Sequence, residues 1–395
     1  MPQVVVTGLG LVTPVGIGRE VVWERLLEGR SGVRPVESFD TTAYSVHRGA
    51  EVLDFRATGS TMGRASQMAL AATRAALEEA GIDPERLDPQ RAGVVMGTTS
   101  GEPLEIERFD DHYVDGTLVD VGAEFIARYP CHVIARNVAA ELGWEGLALV
   151  LPTACAAGNY AIAHATDVLR RGRAEVVVAG GADAFSRITY GGFARLGAIA
   201  PEICQPFDRN RKGMIPGEGA AALVLESLEA ARARGATIYA EVAGCGLSCD
   251  AHHMTAAHPD GPARAMTQAL RESGLGPQDV SYVSAHGTGT PANDRVETAA
   301  VKLVFGARAA TLPVSSVKSM LGHTMGAASA IEAAICALAV RYGRVPPTIG
   351  YEEPDPECDL DCVPNVAREL RVDVAMNNAY AFGGNNASVV FRRVT

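Results

Sequence analysis

The chain has 395 residues, of which 47% are apolar and 21% charged, with 42 glycines and a formal net charge of −11. Such a length exceeds one ordinary hydrophobic core, so two domains or one large double domain of the soluble α/β class are expected. The acidic balance argues against general nucleic-acid binding, which needs a basic surface.

Short apolar runs rich in β-branched residues recur along the chain and predict strands. The first, in "MPQVVVTGLG", has no basic start, so it predicts a strand and turn rather than a signal peptide. Most of the runs are continuous rather than alternating, which is typical of strands buried on both faces. They lie at residues 3–10, 92–97, 147–154, 174–183, 221–227, 280–287, 312–319 and 386–394.

Helical patterns lie between these strands. Residues 68–81 end in a glycine that predicts a C-cap, and residues 156–172 end with two arginines in the last turn, where cations suit the helix dipole. Residues 326–343 are nearly all apolar or small, which predicts a central buried helix. Alternating strands and helices indicate a layered α/β fold. A run of about 18 uncharged apolar residues is missing, so no membrane span is expected.

The chain also carries a hint of duplication. A strand leading into a small-residue loop and an apolar helix occurs around Cys155 and again around His323. Charge rises between two strand-like runs at residues 226–244, so we predict an N-terminal half at 1–238 and a C-terminal half at 239–395.

The eight cysteines are scattered, which indicates no disulfide framework and favours a reducing, cytoplasmic compartment. Two C-x3-C pairs have histidines nearby and raise the question of zinc. Pairs so far apart make a poor tetrahedral set, so no metal is predicted. The two pairs are Cys245 with Cys249 and Cys358 with Cys362.

Cys155 lies in "LPTACAAGNY", among small residues where an apolar strand runs into a helix. One interpretation is a small buried packing residue. The other is a nucleophile, because the helix N-terminus favours a thiolate and leaves the backbone N–H of Cys155 free to stabilise an oxyanion.

Two histidines occupy similar junctions downstream. His286 follows a strand in "SAHGTGTPAND", and His323 lies in a glycine-flanked loop before the predicted buried helix. Catalytic groups of layered α/β folds usually emerge at such junctions, although either histidine could be a structural cap. Together with Cys155 they predict a Cys-His-His site.

Long motifs in a characteristic order carry a resemblance to a known family. They are "VVVTGLGLVTPVG", "TACAAG", "VVVAGGADA", "FDRNRKGMIPGEGAAALVLE", "SCDAHHMTAAHPDG", "AHGTGTPANDRVE", "VKSMLGHTMGAASAIE" and "AFGGNNAS". The chain resembles the elongating β-ketoacyl-acyl-carrier-protein synthases of type II fatty-acid and polyketide systems. The resemblance implies a thiolase-like fold, with two βαβαβαββ halves in a five-layered α-β-α-β-α sandwich. It further implies a cytoplasmic acyltransferase without a cofactor, and a dimer with the strand near 174–182 at its two-fold interface.

The resemblance also assigns catalytic roles. Cys155 matches the nucleophile that takes the acyl chain from a carrier thioester. His286 and His323 match the pair that handles malonyl decarboxylation and stabilises the enolate. Phe382 matches the gate of the acyl pocket, and its backbone N–H is expected to complete the oxyanion hole with that of Cys155.

Three further residues match supporting positions of the family. Lys318 lies five residues before the second histidine, Glu332 nine residues after it, and Asp294 eight residues after the first histidine. A buried lone charge would be very costly, so we expect Lys318 and Glu332 to form an ion pair that orients the histidines.

The remaining matches concern substrate and partner. The resemblance implies substrate-binding positions at Ser100, Phe193, Thr288 and Thr290, where Ser100 replaces a larger aliphatic residue and hints at an altered chain preference. The expected partner is an acyl carrier protein. In the stretch 59–68, where relatives often carry several basic docking residues, one arginine remains. Weak candidates for docking are therefore Arg64, Arg209 and Lys212.

Several alternatives stay open at this point. A thiolase or a starter enzyme of the Cys-His-Asn kind shares the fold, but the second histidine of "LGHTMGAA" argues against both. A non-catalytic chain-length partner would lack Cys155, although the chain could be the active half of a heterodimer with such a partner, or form a homodimer. A Rossmann oxidoreductase is disfavoured because a phosphate-binding fingerprint is missing.

Overall fold

The computed structural model describes residues 2–56, 61–117 and 123–394. In these ranges the strands are β1 Val4–Thr13, β2 Gly16–Ile17, β3 Arg34–Pro35, β4 Arg48–Gly49, β5 Ala92–Gly97, β6 Ala148–Leu151, β7 Val176–Asp183, β8 Gly219–Ser227, β9 Ala240–Cys249, β10 Tyr282–Ser284, β11 Val314–Ser315, β12 Arg344–Val345, β13 Arg368–Glu369, β14 Val374–Tyr380 and β15 Asn385–Arg392.

The helices alternate with these strands, as the sequence predicts. They are α1 Arg19–Leu27, α2 Arg64–Ala80, α3 Pro103–Val114, α4 Ala123–Arg128, α5 Val133–Leu142, α6 Ala157–Arg170, α7 Arg187–Arg195, α8 Leu228–Ala233, α9 Asp260–Ser273, α10 Pro291–Phe305, α11 Lys318–Leu321 and α12 Ala328–Tyr342. Short 3-10 turns precede α6 (Ala154–Ala156) and α12 (Met325–Ala327), and another follows β14 (Phe382–Gly384).

The main sheet is made of two halves with the same strand pattern. Its path runs β6-β5-β7-β8-β1 in one half and β11-β10-β14-β15-β9 in the other. In each half the first three strands are parallel and the last two antiparallel. An antiparallel pairing of β1 with β9 joins the halves. The predicted duplication is therefore present, with β1 matching β9 and β6 matching β11.

Helices cover both faces of each half and create five layers. Helices α2 and α5 pack on the outer face of the N-terminal half, and α9 and α10 on the outer face of the C-terminal half. Between the two halves of the sheet, α6 packs against α12. This arrangement is the thiolase-like α-β-α-β-α sandwich that the resemblance implies. The line predicted to divide two domains at residue 238 stays a prediction.

The central helix α12 has the apolar composition of a membrane helix but is buried in the protein. By length and composition alone, the segment Met325–Tyr342 could cross a bilayer, yet 89% of it is buried. Small residues allow its close contact with α6, because a Cβ at Gly158 would lie 2.4 Å from the backbone nitrogen of Ala330. The need for this contact explains the lack of bulk after Cys155.

The strand predicted to lie at the two-fold dimer interface, β7, instead lies inside the sheet. β7 is hydrogen-bonded to β5 on one side and to β8 on the other, and all its residues are buried. It has no free edge or exposed face for a partner, so the expectation for residues 174–182 is wrong. Among the described residues, β6 pairs with β5 alone and forms the edge of the N-terminal half. Its side chains are partly exposed.

Candidate active site

The parallel strands deliver the predicted catalytic residues to one place. Cys155 follows β6, His286 follows β10, His323 follows β11 and Phe382 follows β14. All four line one cavity of about 410 Å³. The carboxyl ends of the parallel strands β10, β11 and β14 lie at one edge of the C-terminal half. Cys155 reaches the same cavity from the N-terminal half, because the helix that follows it, α6, packs against α12.

Cys155 is held in a strained turn at the entrance to α6. The preceding residue, Ala154, has a φ of 52°, in the left-handed region that favours glycine. Cys155 is 8% exposed, and burial raises the pKa of its thiol to about 12, while the Lys318 charge lowers it. Burial thus acts against the thiolate that the helix N-terminus is expected to favour.

The two histidines form a neutral pair. Their ring centroids lie 5.5 Å apart with an interplanar angle of 83°, and both side chains are buried. Burial, followed by the charge of Lys318, lowers the pKa of each imidazole well below its usual range. The Met325 backbone N–H donates to Nδ1 of His323 at 3.1 Å, so the proton of the neutral ring resides on Nε2. His323 is thus a hydrogen-bond donor.

A buried carboxylate that the sequence analysis missed fixes the backbone at His286. Glu297 accepts the backbone N–H groups of His286 at 2.8 Å and of Gly287 at 2.7 Å. Burial raises the pKa of Glu297 to about 7. Its position on α10, one helical turn beyond Asp294, was a usable signal, because residues three apart lie on the same helix face.

The predicted ion pair beneath the histidines is present. Lys318 Nζ donates to Glu332 Oε1, and each side chain is 2% exposed. Burial raises the pKa of Glu332 to about 7, while Lys318 opposes that rise. Because Lys318 lowers the pKa of both histidines, its ammonium helps to keep the imidazoles neutral.

Asp294 does not line the cavity, although its neighbours Asn293 and Arg295 do. It is buried and accepts the Phe207 backbone N–H at 2.8 Å and the Asn293 side chain at 3.1 Å. The guanidinium of Arg211 lies 3.7 Å away. Burial raises the pKa of Asp294 to about 6. These contacts give Asp294 a structural role, since they join α10 to the segment that contains Phe207 and Arg211.

Asp183, at the end of β7, is a second buried carboxylate that the sequence analysis missed. It accepts the Thr98 hydroxyl and three backbone N–H groups, those of Thr99, Ser100 and Gly326, at distances from 2.6 to 2.9 Å. Burial raises its pKa to about 6. Asp183 therefore joins the loop after β5 to the turn that follows His323.

Three of the four predicted substrate positions line the cavity. Phe193 packs against Phe382 with ring centroids 6.1 Å apart, and the hydroxyls of Thr288 and Thr290 are 2.8 Å apart. Phe382 is 43% exposed, as a gate at a cavity mouth would be. Ser100 is not among the residues lining this cavity; its backbone bonds to Asp183. Its predicted role at the acyl channel stays a prediction.

The candidate docking residues differ in environment. Arg64 donates to Glu218 at 2.7 Å and to the Val52 carbonyl at 2.9 Å, and its side chain is 22% exposed. Its guanidinium is therefore already engaged within the fold, and its predicted part in carrier docking stays a prediction. Arg209 is exposed and pairs with Glu353, whereas Lys212 lines the cavity. In the stretch 59–68, residues 59 and 60 lie outside the described residues.

The candidate zinc ligands do not converge. Within residues 2–56, 61–117 and 123–394, His, Cys, Asp and Glu side chains form no group of three arranged to hold a metal ion.

Sequence profiles of a known family cover most of the chain. The N-terminal domain of β-ketoacyl synthases matches residues 1–231, and the C-terminal domain matches residues 239–352. The chain belongs to the β-ketoacyl synthase family. Members of this family are acyltransferases, so the protein is an enzyme of that class.

Individual relatives come from two kinds of pathway. The chain is 43% identical over 414 residues to the tetracenomycin polyketide synthase ketoacyl synthase alpha subunit of Streptomyces glaucescens, covering 99% of this chain and 97% of that one. It is 40% identical over 412 residues to 3-oxoacyl-(acyl-carrier-protein) synthase 2 of Synechocystis, covering 99% and 98%. A solved structure, the ishigamide ketosynthase/chain length factor, matches with a TM-score of 0.96 at 42% identity over 100% of both chains.

Proposed function

We propose that this β-ketoacyl synthase joins an acyl group held on Cys155 to malonyl-acyl carrier protein by decarboxylative Claisen condensation. The observation that carries the proposal is the convergence of Cys155, His286 and His323 on one cavity. The eight unpaired cysteines favour a reducing cytoplasm. Relatives from fatty-acid and polyketide systems match almost equally well, so both substrate pools fit.

The first half-reaction is acyl transfer. The Cys155 sulfur attacks the carrier thioester, the carbon–sulfur bond to the carrier breaks, and the thiol proton goes to the departing carrier thiolate. The oxyanion that forms is expected to accept the backbone N–H groups of Cys155 and Phe382. Both residues lie in the first turn of a 3-10 segment, where N–H groups have no intrahelical partner.

The second half-reaction is condensation. Malonyl-carrier loses CO₂, and the electron pair of the broken carbon–carbon bond forms an enolate at the thioester. The Nε2–H of His323 and an N–H of His286 can donate to the enolate oxygen, because burial keeps both rings neutral. The enolate carbon then attacks the acyl-Cys155 carbonyl, and the released sulfur regains a proton from solvent.

Separating the two half-reactions tests the proposal. Cys155→Gln removes the nucleophile and leaves a polar side chain of similar reach, so it should form no carbon–carbon bond yet still release CO₂ from malonyl-carrier. Adding His323→Ala should slow that release by about 10²–10³-fold, as for loss of an oxyanion-hole donor. The measurements are labelled CO₂ and carrier-bound product. Unchanged CO₂ release in the double variant would make His323 a structural residue.

A second candidate is the active subunit of a heterodimer with a chain-length partner. The similarity to the tetracenomycin alpha subunit and to the ishigamide ketosynthase/chain length factor favours it. The presence of Cys155 argues against the non-catalytic subunit. Light scattering of the purified chain, with acylation of Cys155 measured in parallel, separates the two states. A purified chain that is an active homodimer would contradict the heterodimer candidate.

A further inference from the structure

Only three of the 395 residues are lysines, and their environments differ. Lys318 is buried against Glu332, and Lys302 forms a surface ion pair with Asp359. Lys212 is exposed and lines the cavity of Cys155, and no residue of the described ranges forms an ion pair with it. An unpaired ammonium at the cavity mouth is a group that an anion of the substrate can meet.

The backbone on both sides of Lys212 is anchored. The buried Arg211 side chain donates to Asp355 at 2.5 Å and to the Asp208 carbonyl at 2.7 Å. On the other side, the Gly213 N–H donates to the Gly289 carbonyl at 3.0 Å. Gly289 lies between Thr288 and Thr290, which line the cavity, so the backbone at Lys212 is held next to that turn.

We propose that Lys212 binds the phosphate of the phosphopantetheine arm on which a carrier holds its acyl group. This inference rests on the proposed function. The thioester end of the arm must reach Cys155, so its phosphodiester end remains where the arm leaves the cavity. A lysine ammonium binds phosphate as a point charge. Arg295 also lines the cavity, but it already contacts Glu357 and the Pro291 carbonyl.

The test compares two small thioesters that differ only in the phosphate: acetyl-phosphopantetheine and acetyl-pantetheine. Acylation of Cys155 is followed by intact-protein mass spectrometry, and the ratio of kcat/KM for the two substrates is the readout. Lys212→Met should lower the preference for the phosphorylated arm by about 3- to 10-fold, the range for a partly exposed charge-assisted contact. Lys212→Arg should restore most of it, and the matched control Lys302→Met should leave the ratio unchanged.

Two results would overturn the assignment. If Lys212→Met slows acylation by both thioesters equally, the lysine shapes the cavity and does not bind the phosphate. If it affects acyl-carrier protein but leaves the ratio unchanged, the lysine contacts carboxylates of the carrier instead. Failure of the proposed function is distinguishable, because the wild-type enzyme would then not be acylated at Cys155 by acetyl-pantetheine, which carries no phosphate.

Discussion

The junctions that lead into α6 and α12 have the same backbone but present different chemistry. In both, a residue with a left-handed φ opens a 3-10 turn before the long helix: Ala154 at 52° and Met325 at 54°. The second turn residue is Cys155 in the N-terminal half and Gly326 in the C-terminal half. A Cβ at Gly326 would lie 2.5 Å from the backbone of Thr98 and Thr99, so this position has no room for a side chain.

The difference shows how the two halves of a duplicated fold take different catalytic roles. The N-terminal turn leaves space at its second residue and presents a thiol to the cavity. The C-terminal turn uses the backbone N–H of Gly326 to bind Asp183, and the reactive side chain is His323, three residues earlier. One junction supplies the nucleophile, and the other supplies a donor whose tautomer is fixed by the turn itself.

The largest expected effect is on the reactivity of Cys155 at the first junction, where burial and the helix N-terminus have opposite effects on the pKa of the thiol. Because burial raises the pKa of Cys155 to about 12, the thiol is protonated at neutral pH and the thiolate fraction grows with pH. Iodoacetamide reacts with the thiolate. The alkylation rate at Cys155 should therefore rise about tenfold per pH unit, or about 1000-fold between pH 7 and pH 10.

Peptide mapping across a pH series measures this rate, with Cys155→Ser to identify the labelled peptide. A plateau below pH 9 would mean that the helix N-terminus and Lys318 govern the thiol instead of burial. The two junctions would then differ in their electrostatics as well as in their side chains.

The second prediction tests the lack of space at the other junction. Gly326→Ala places a methyl group against the backbone after β5 and displaces the N–H that Asp183 accepts. Overpacking of this kind should lower the free energy of unfolding by about 3 kcal/mol, as measured by urea denaturation.

Gly192→Ala is the matched control for that change. Gly192 lies in α7, and a Cβ there would meet no atom within 4 Å. Its unfolding free energy should stay the same or rise by up to about 1 kcal/mol, because alanine favours a helix more than glycine does. Equal stability of the Gly326→Ala variant and wild type would show that the C-terminal turn can accept a side chain.

The sequence predicts the fold well because periodicity and glycine caps are local signals. The helices expected at 68–81 and 326–343 occur at Arg64–Ala80 and Ala328–Tyr342, and both end at glycines with a left-handed φ. Order within the sheet is not local. Sequence runs that look equally buried can lie at the centre of the sheet or near its edge. For this reason the position of β7 at the dimer interface is wrongly predicted.

The site is less predictable where distant groups determine the chemistry. The resemblance supplies the three residues that converge on the cavity as well as Lys318 and Glu332, and the cost of a buried lone charge predicts the ion pair of those two. The roles of Asp183 and Glu297 depend on backbone N–H groups contributed by other segments. Likewise, the partner of Arg64 is Glu218, 154 residues away. The identity of a single residue does not indicate such long-range contacts, nor how strongly burial raises the pKa of a thiol.

The smallest expected effect concerns the strain that opens the N-terminal turn. Ala154→Gly should raise the free energy of unfolding by about 0.5 kcal/mol, because glycine adopts a left-handed φ without the steric cost that alanine bears there. Ala156→Gly, two residues on at a φ of −88°, is the matched control and should lower stability by about 0.5–1 kcal/mol. Thermal unfolding under identical conditions measures both. If both variants are destabilised equally, the left-handed φ at Ala154 imposes no measurable strain, and the geometry shared with Met325 reflects the common fold rather than a cost borne at each junction.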